Sequence, residues 1–150
     1  MMTKAFAPLA ALLLLAGLTP APASAQTEPA KDDPAWLATC TEANSGTLGY
    51  AHCLVEHRTA LAETQSALLG QINAALAKGG PAGTDYTAAA ATLADAQKHW
   101  KALVSADCDV IADVFGHGTA HALAGESCVV DHYVSRNAQL KELKDGYLTP

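Results

Sequence analysis

The chain has 150 residues, 50% of them hydrophobic, and its 9 basic and 15 acidic side chains give a formal net charge of −6 at pH 7. This excess of acid argues against partners such as nucleic acid and anionic lipid, which proteins bind through Lys and Arg. The length allows one domain with a modest core.

The N-terminus has the pattern of a secretory signal. Lys4 precedes the apolar run Ala5–Leu18, and Ala23-Ser24-Ala25 follows as a cleavage site, which predicts a signal peptide over residues 1–25. The run is shorter than the roughly 20 apolar residues that cross a bilayer, so we expect no stable membrane anchor. Cleavage near Ala25 removes one lysine and no acidic residue, which leaves 8 basic and 15 acidic side chains and a net charge near −7. We therefore expect an acidic periplasmic or secreted protein.

The next stretch divides into a leader and a first helix. Residues 26–35 contain prolines and charges with little to bury, which predicts a flexible leader before one domain over 36–150. A helix is predicted from Cys53 to Lys78, because this stretch has no proline and one glycine, and Gly79–Gly83 ends it. Apolar spacings of seven and four predict a buried stripe on this helix, formed by Leu54, Leu61, Leu68, Ile72 and Leu76.

Two further helices are predicted. Thr84 and Asp85 are good capping residues and predict a helix from Asp85 to Val114, antiparallel to the first because the connection is short. A third is predicted from Ala122 to Leu143. The expected inner side chains are Tyr86, Leu93, Trp100, Val104, Cys108, Ile111 and Phe115, then Leu123, Val130, Tyr133, Val134, Asn137 and Leu140. The predicted fold class is all-α: a small disulfide-braced bundle of about three helices with an antiparallel helical hairpin.

Four cysteines lie in the predicted exported part: Cys40, Cys53, Cys108 and Cys128. An even number in an oxidising compartment predicts two disulfides. Three pairings are possible. We favour Cys40 with Cys53 and Cys108 with Cys128, because each pair closes a short local loop, worth roughly 3 kcal/mol in the loop-entropy model.

The segment from His117 to His121 is the candidate for chemistry or binding. It lacks the glutamate of H-E-x-x-H, and the chain has no G-x-S-x-G and no C-x-x-C-H, so we expect no catalytic residue, no enzymatic activity and no cofactor. We expect no metal site here, and we interpret the segment as a partner-contact loop formed by His117, Gly118, Thr119 and His121. The alternative is a metal site formed by His117 and His121.

A set of residues in the second half resembles the lysozyme inhibitor LprI-like family. The family carries an A-Q-x-x-W segment, a cysteine eight residues past the tryptophan, a Gly-Gly-Ser-type turn, a second cysteine and a late Arg-x-x-x-Leu. Here the corresponding residues are Ala96, Gln97, Trp100, Cys108, then His117-Gly118-Thr119, Cys128, Arg136 and Leu140. The pair Cys40 and Cys53 also fits the family's opening, and His117 stands where the family prefers glycine.

The resemblance implies a function as well as a fold. It implies an exported protein that binds a protein partner, a lysozyme, and inhibits it by occlusion. Lysozymes of the common animal type are strongly basic, and an acidic protein is steered toward them at low salt. Two alternatives stay open: an envelope metal-binding protein that uses His117 and His121, and a structural or stress-related envelope module with another partner. The oligomeric state is left open.

Overall fold

A computed structural model describes residues 31–148 of the protein. Four α-helices and a C-terminal π-helical segment fill this range, which contains no strand: α1 (Pro34–Ala43), α2 (Thr47–Leu76), α3 (Tyr86–Val114), α4 (Thr119–Glu142) and the segment Leu143–Leu148. The prediction of an all-α protein is confirmed. The predicted signal peptide and residues 26–30 of the predicted leader lie outside the described residues.

The first helix, α1, is not among the predicted ones. Asp33 caps it by accepting a hydrogen bond from the backbone N–H of Ala35 (2.8 Å), and Pro34 occupies the first turn, where its missing N–H costs nothing. The helix has only 10 residues and none of them is buried, so it shows little hydrophobic periodicity. Its stability comes from contacts with α2, which the sequence pattern does not display.

The three long helices form an up-down-up bundle. Asp85 caps α3 by accepting from the N–H of Ala88 (2.8 Å), which fits the predicted start. The chain reverses between α2 and α3, so that Ile72 and Leu76 near the end of α2 pack against Tyr86 at the start of α3. The last long helix, α4, then runs in the same direction as α2, with Leu140 in that cluster. The predicted antiparallel hairpin is present.

A second cluster lies at the other end of α2. Leu54 and Leu61 pack there against Val130 of α4, with Leu37 of α1 beside them. The long helix α4 therefore packs along both α2 and α3. The α2–α3 contact is less extensive and lies at the end of the bundle where these two helices are connected.

This arrangement corrects part of the predicted inner face. Ile111 of α3 and Phe115, the C-cap residue after α3, were predicted to face inward, yet they are 43% and 58% exposed, and Val134 of α4 is 37% exposed. The reason is tertiary: in its second half α3 buries the row Val104, Cys108 and Ala112 against α4, and α2 does not extend over its other side.

Both predicted disulfides are confirmed. Cys40 of α1 is bonded to Cys53 of α2, 13 residues later, and Cys108 of α3 is bonded to Cys128 of α4, 20 residues later. The first bridge attaches the short helix α1 to the bundle. The second joins α3 and α4 near their connecting turn.

Residues before α1 also contact the bundle. His57 of α2, 1% exposed, donates a hydrogen bond from Nδ1 to the backbone oxygen of Lys31 and stacks on Trp36, with ring centroids 5.9 Å apart. Thr64 donates to the carboxylate of Asp32 (3.0 Å). The described end of the predicted leader is therefore attached to α2. Among the helices of residues 31–148, none combines the length and the apolar character that a bilayer crossing requires.

Candidate functional site

The candidate loop is the turn between α3 and α4. Gly116 and Gly118 both have positive φ, 79° and 85°, a backbone conformation that is unfavourable for other residues, and Gly118 is the N-cap of α4. His117 lies between them and is exposed. The two glycines therefore reverse the chain within three residues and present the His117 side chain to solvent.

His117 and His121 have different environments. Because α4 begins at Thr119, His121 lies in its first turn, where its Nδ1 donates to the backbone oxygen of Gly116 (3.0 Å) and lies 4.0 Å from a carboxylate oxygen of Asp113. The His121 side chain thus stabilises the turn by a hydrogen bond to its backbone. Among the described residues His117 has no hydrogen bond or ion pair. The two histidines do not share a helical face.

The potential metal ligands that lie closest together are not the two histidines of the turn. Within residues 31–148, the group of three potential ligands is Cys108, Cys128 and His132, whose ligand atoms lie within 4.8 Å of one another. The two sulfurs are bonded to each other, so they offer no thiolate to a metal ion in this state. In this part of the chain, His117 and His121 do not belong to such a group of three, and the metal interpretation stays an untested prediction.

The residues of the A-Q-x-x-W motif and the late arginine connect the three long helices. Gln97 of α3 is buried, donates from Nε2 to Oε1 of Gln65 in α2 (2.8 Å) and accepts from Nε of Arg136 in α4 (3.2 Å). Partial burial lowers the pKa of Arg136 from its ordinary value, since desolvation disfavours its charge.

The remaining motif residues divide between core and surface. Trp100 packs edge-to-face on Tyr133 with ring centroids 5.1 Å apart, Leu140 is 1% exposed in the second core cluster, and Ala96 is exposed. Most of the motif therefore serves the packing of the bundle. The exposed turn carries the candidate contact residues.

A groove runs beside the turn, on one side of the α3–α4 contact. Its α3 wall contains Asp107, Val110, Ile111 and Phe115, and its α4 wall contains Ala124, Ser127, Cys128, Asp131 and His132. We call this feature the α3–α4 groove. Its volume is about 660 Å³, and Cys128 of the Cys108–Cys128 bridge is one of its lining residues.

Sequence reasoning missed this groove. It placed Ile111 and Phe115 in the core, because their spacing continues the row Trp100, Val104 and Cys108. The available signal is the set Val110, Ile111, Val114 and Phe115, which spreads apolar side chains over too wide an arc for one packing partner.

The fold and site define a small disulfide-braced helical protein whose exposed turn lies beside an apolar groove. Comparison with known families adds the name: the model of the family described as "Lysozyme inhibitor LprI" matches residues 40–140, so the chain belongs to this family. The predicted resemblance is confirmed. Searches of the curated proteins and of the solved structures find no significant match.

Proposed function

We propose that the protein is exported, loses residues 1–25, and inhibits lysozyme by occluding the substrate cleft. The observation that carries the proposal is membership of the LprI lysozyme inhibitor family over residues 40–140. Two disulfides support export, because such bonds form and persist in oxidising compartments. The net charge of −6 supports a basic partner of the animal lysozyme type.

The contact proposed for the cleft is the turn His117, Gly118, Thr119 and His121. Animal-type lysozymes keep two carboxyl groups in the cleft, one of them protonated. His117 is exposed between two glycines, and an imidazole there can donate to a carboxylate. The hydrogen bond from His121 to Gly116 and the disulfide behind it hold the turn before binding, which reduces the ordering cost of association. Inhibition then needs no chemical step.

A turbidity assay tests the function. Cell-wall suspension is treated with an animal-type lysozyme in the presence of the purified mature protein at about 10 mM and about 150 mM salt, where the Debye length is about 30 Å and about 8 Å. We expect slower clearing at micromolar protein, with stronger inhibition at low salt. Clearing at the uninhibited rate in both buffers would refute the proposal.

His117→Ala tests the turn. Because a hydrogen bond to a charged group contributes roughly 1.5 kcal/mol or more, we expect the inhibition constant to rise about tenfold. His99→Ala is the matched control, since His99 is also exposed but lies in the first half of α3. Equal inhibition by the wild type and His117→Ala would place the contact outside the turn.

A further inference from the structure

Among residues 31–148, no other element covers the apolar surface on the second half of α3. Five large side chains within residues 103–115 are exposed: Leu103, Val110, Ile111, Val114 and Phe115, with Val110 and Val114 at 62% and 77%. Single exposed apolar residues are normal, but a cluster of this kind on one helix is typical of an interaction surface. The cluster continues from the α3–α4 groove onto the outer side of α3, so it is broader than an enclosed small-molecule pocket.

Most of the formal charge around this surface is negative. Residues 102–135 contain no Lys or Arg and five acidic residues: Asp107, Asp109, Asp113, Glu126 and Asp131. One cation from outside this range, Arg58 of α2, forms an ion pair with Glu126. The acidic residues on the groove itself are Asp107 and Asp131, and Nε2 of His132 lies 3.6 Å from the carboxylate of Asp107. The apolar surface therefore has an acidic border.

The groove has two different ends. Asp107 lies eight residues before Phe115, the C-cap of α3, and this separation corresponds to about 12 Å along a helix. Phe115 and Ile111 form the apolar end next to the turn, and Asp107 with Asp131 of α4 forms the acidic end. A ligand that fits both ends carries an apolar side chain and, about one helix diameter away, a cationic group.

We propose that the α3–α4 groove is the docking surface for a basic protein, which places an apolar side chain against Val110, Ile111 and Phe115 and a Lys or Arg between Asp107 and Asp131. The proposal rests on the proposed function in that its partner is lysozyme, with the groove as the contact beside the turn. A second copy of this chain is disfavoured as the occupant, because two such surfaces would bring acidic borders of the same sign together.

The apolar half of the proposal is tested by truncation. Val110→Ala combined with Phe115→Ala removes two side chains that are 62% and 58% exposed, so the bundle keeps its core. By interferometry against an animal-type lysozyme, we expect about tenfold weaker binding or more, as for central contacts of an interface. Tyr147→Ala is the control, because Tyr147 is 74% exposed on the C-terminal segment and its variant should bind like the wild type. If the double variant does not fold, Val110→Ala alone replaces it.

The acidic half is tested by neutralisation. Asp107→Asn combined with Asp131→Asn should slow association about fivefold at about 10 mM salt and reduce its salt dependence, because border charges act mainly on the association rate. The control, Asp95→Asn with Glu63→Gln, changes the net charge equally at exposed positions outside the groove. Equal rates for the two double variants would overturn the acidic half.

The outcomes separate the groove from the proposed function. Inhibition by wild type together with unchanged binding of the apolar double variant overturns the groove and leaves the inhibitor function. Groove-dependent binding without inhibition supports the groove and refutes the function, and absence of both binding and inhibition refutes the two together. The last measurement is the oligomeric state by sedimentation. If the wild type is a dimer and the apolar double variant is a monomer, the groove binds a second copy of the chain, and the proposal is overturned.

Discussion

Removal of the Cys108–Cys128 bridge should destabilise the protein by a calculable amount. The bridge closes a loop with a sequence separation of 20 residues. In the loop-entropy model, a loop of this length is worth about 3 kcal/mol at 25 °C. For a domain of this size about 1 kcal/mol corresponds to about 4 °C in melting temperature, so Cys108→Ala with Cys128→Ala should lower it by about 12 °C. Alanine is the replacement because Cys108 is buried and a serine hydroxyl would lack a partner there.

The assay is thermal unfolding followed by circular dichroism at the helical band, without reductant. The control is Cys40→Ala with Cys53→Ala, whose loop has a separation of 13 residues and is worth about 0.4 kcal/mol less in the same model. The two variants should therefore melt within a few degrees of each other and well below the wild type. A loss under about 4 °C for the Cys108–Cys128 variant would show that α3 and α4 are held by packing alone, and would refute the reasoning.

Two other predictions concern stability. Ile72→Ala, at a side chain with 0% exposure, should reduce the free energy of unfolding by about 3 kcal/mol in urea titration, whereas Val55→Ala, 43% exposed on the same helix, should change it by less than about 0.5 kcal/mol. A similar loss in both variants would contradict the assigned core. Hydrogen bonds from Lys141 and Lys144 lower the pKa of Asp145 in the folded state. The contribution of these hydrogen bonds to folding stability is therefore complete above about pH 3.9, the pKa of Asp145 in the unfolded chain. It is lost as the pH falls through the lower pKa of Asp145 in the folded protein. The protection of amides in the C-terminal π-helical segment, measured relative to their intrinsic exchange rates, should decrease over that acid range, and Asp145→Asn should remove this decrease.

The sequence predicted the long helices because their signals are local. Asp85 caps α3, and the glycines after α2 and after α3 end those helices where helical conformation is locally unfavourable. Both disulfide pairings could be predicted because each connects residues close in sequence. The family resemblance depended on cysteine and tryptophan spacing, which is also readable without coordinates, and it agrees with the matched residues 40–140.

Other features depend on which helices are neighbours. The short helix α1 is attached by a disulfide and by the stacking of Trp36 on His57, and neither contact is visible as a periodic pattern. The separation of His117 from His121 follows from the start of α4 at Thr119, three residues before the predicted Ala122.

The sequence by itself determined the helical class, favoured the cysteine pairing that the structure has and pointed to the turn with His117 between two glycines, because each of these depends on residues near one another in the chain. The tertiary structure alone decided that Ile111 and Phe115 line a surface groove rather than the core. The physical reason is that apolar periodicity defines an apolar side of a helix but not how far a neighbouring helix covers it. Here α4 buries the row Val104, Cys108 and Ala112, and α2 leaves the adjacent apolar row open to solvent.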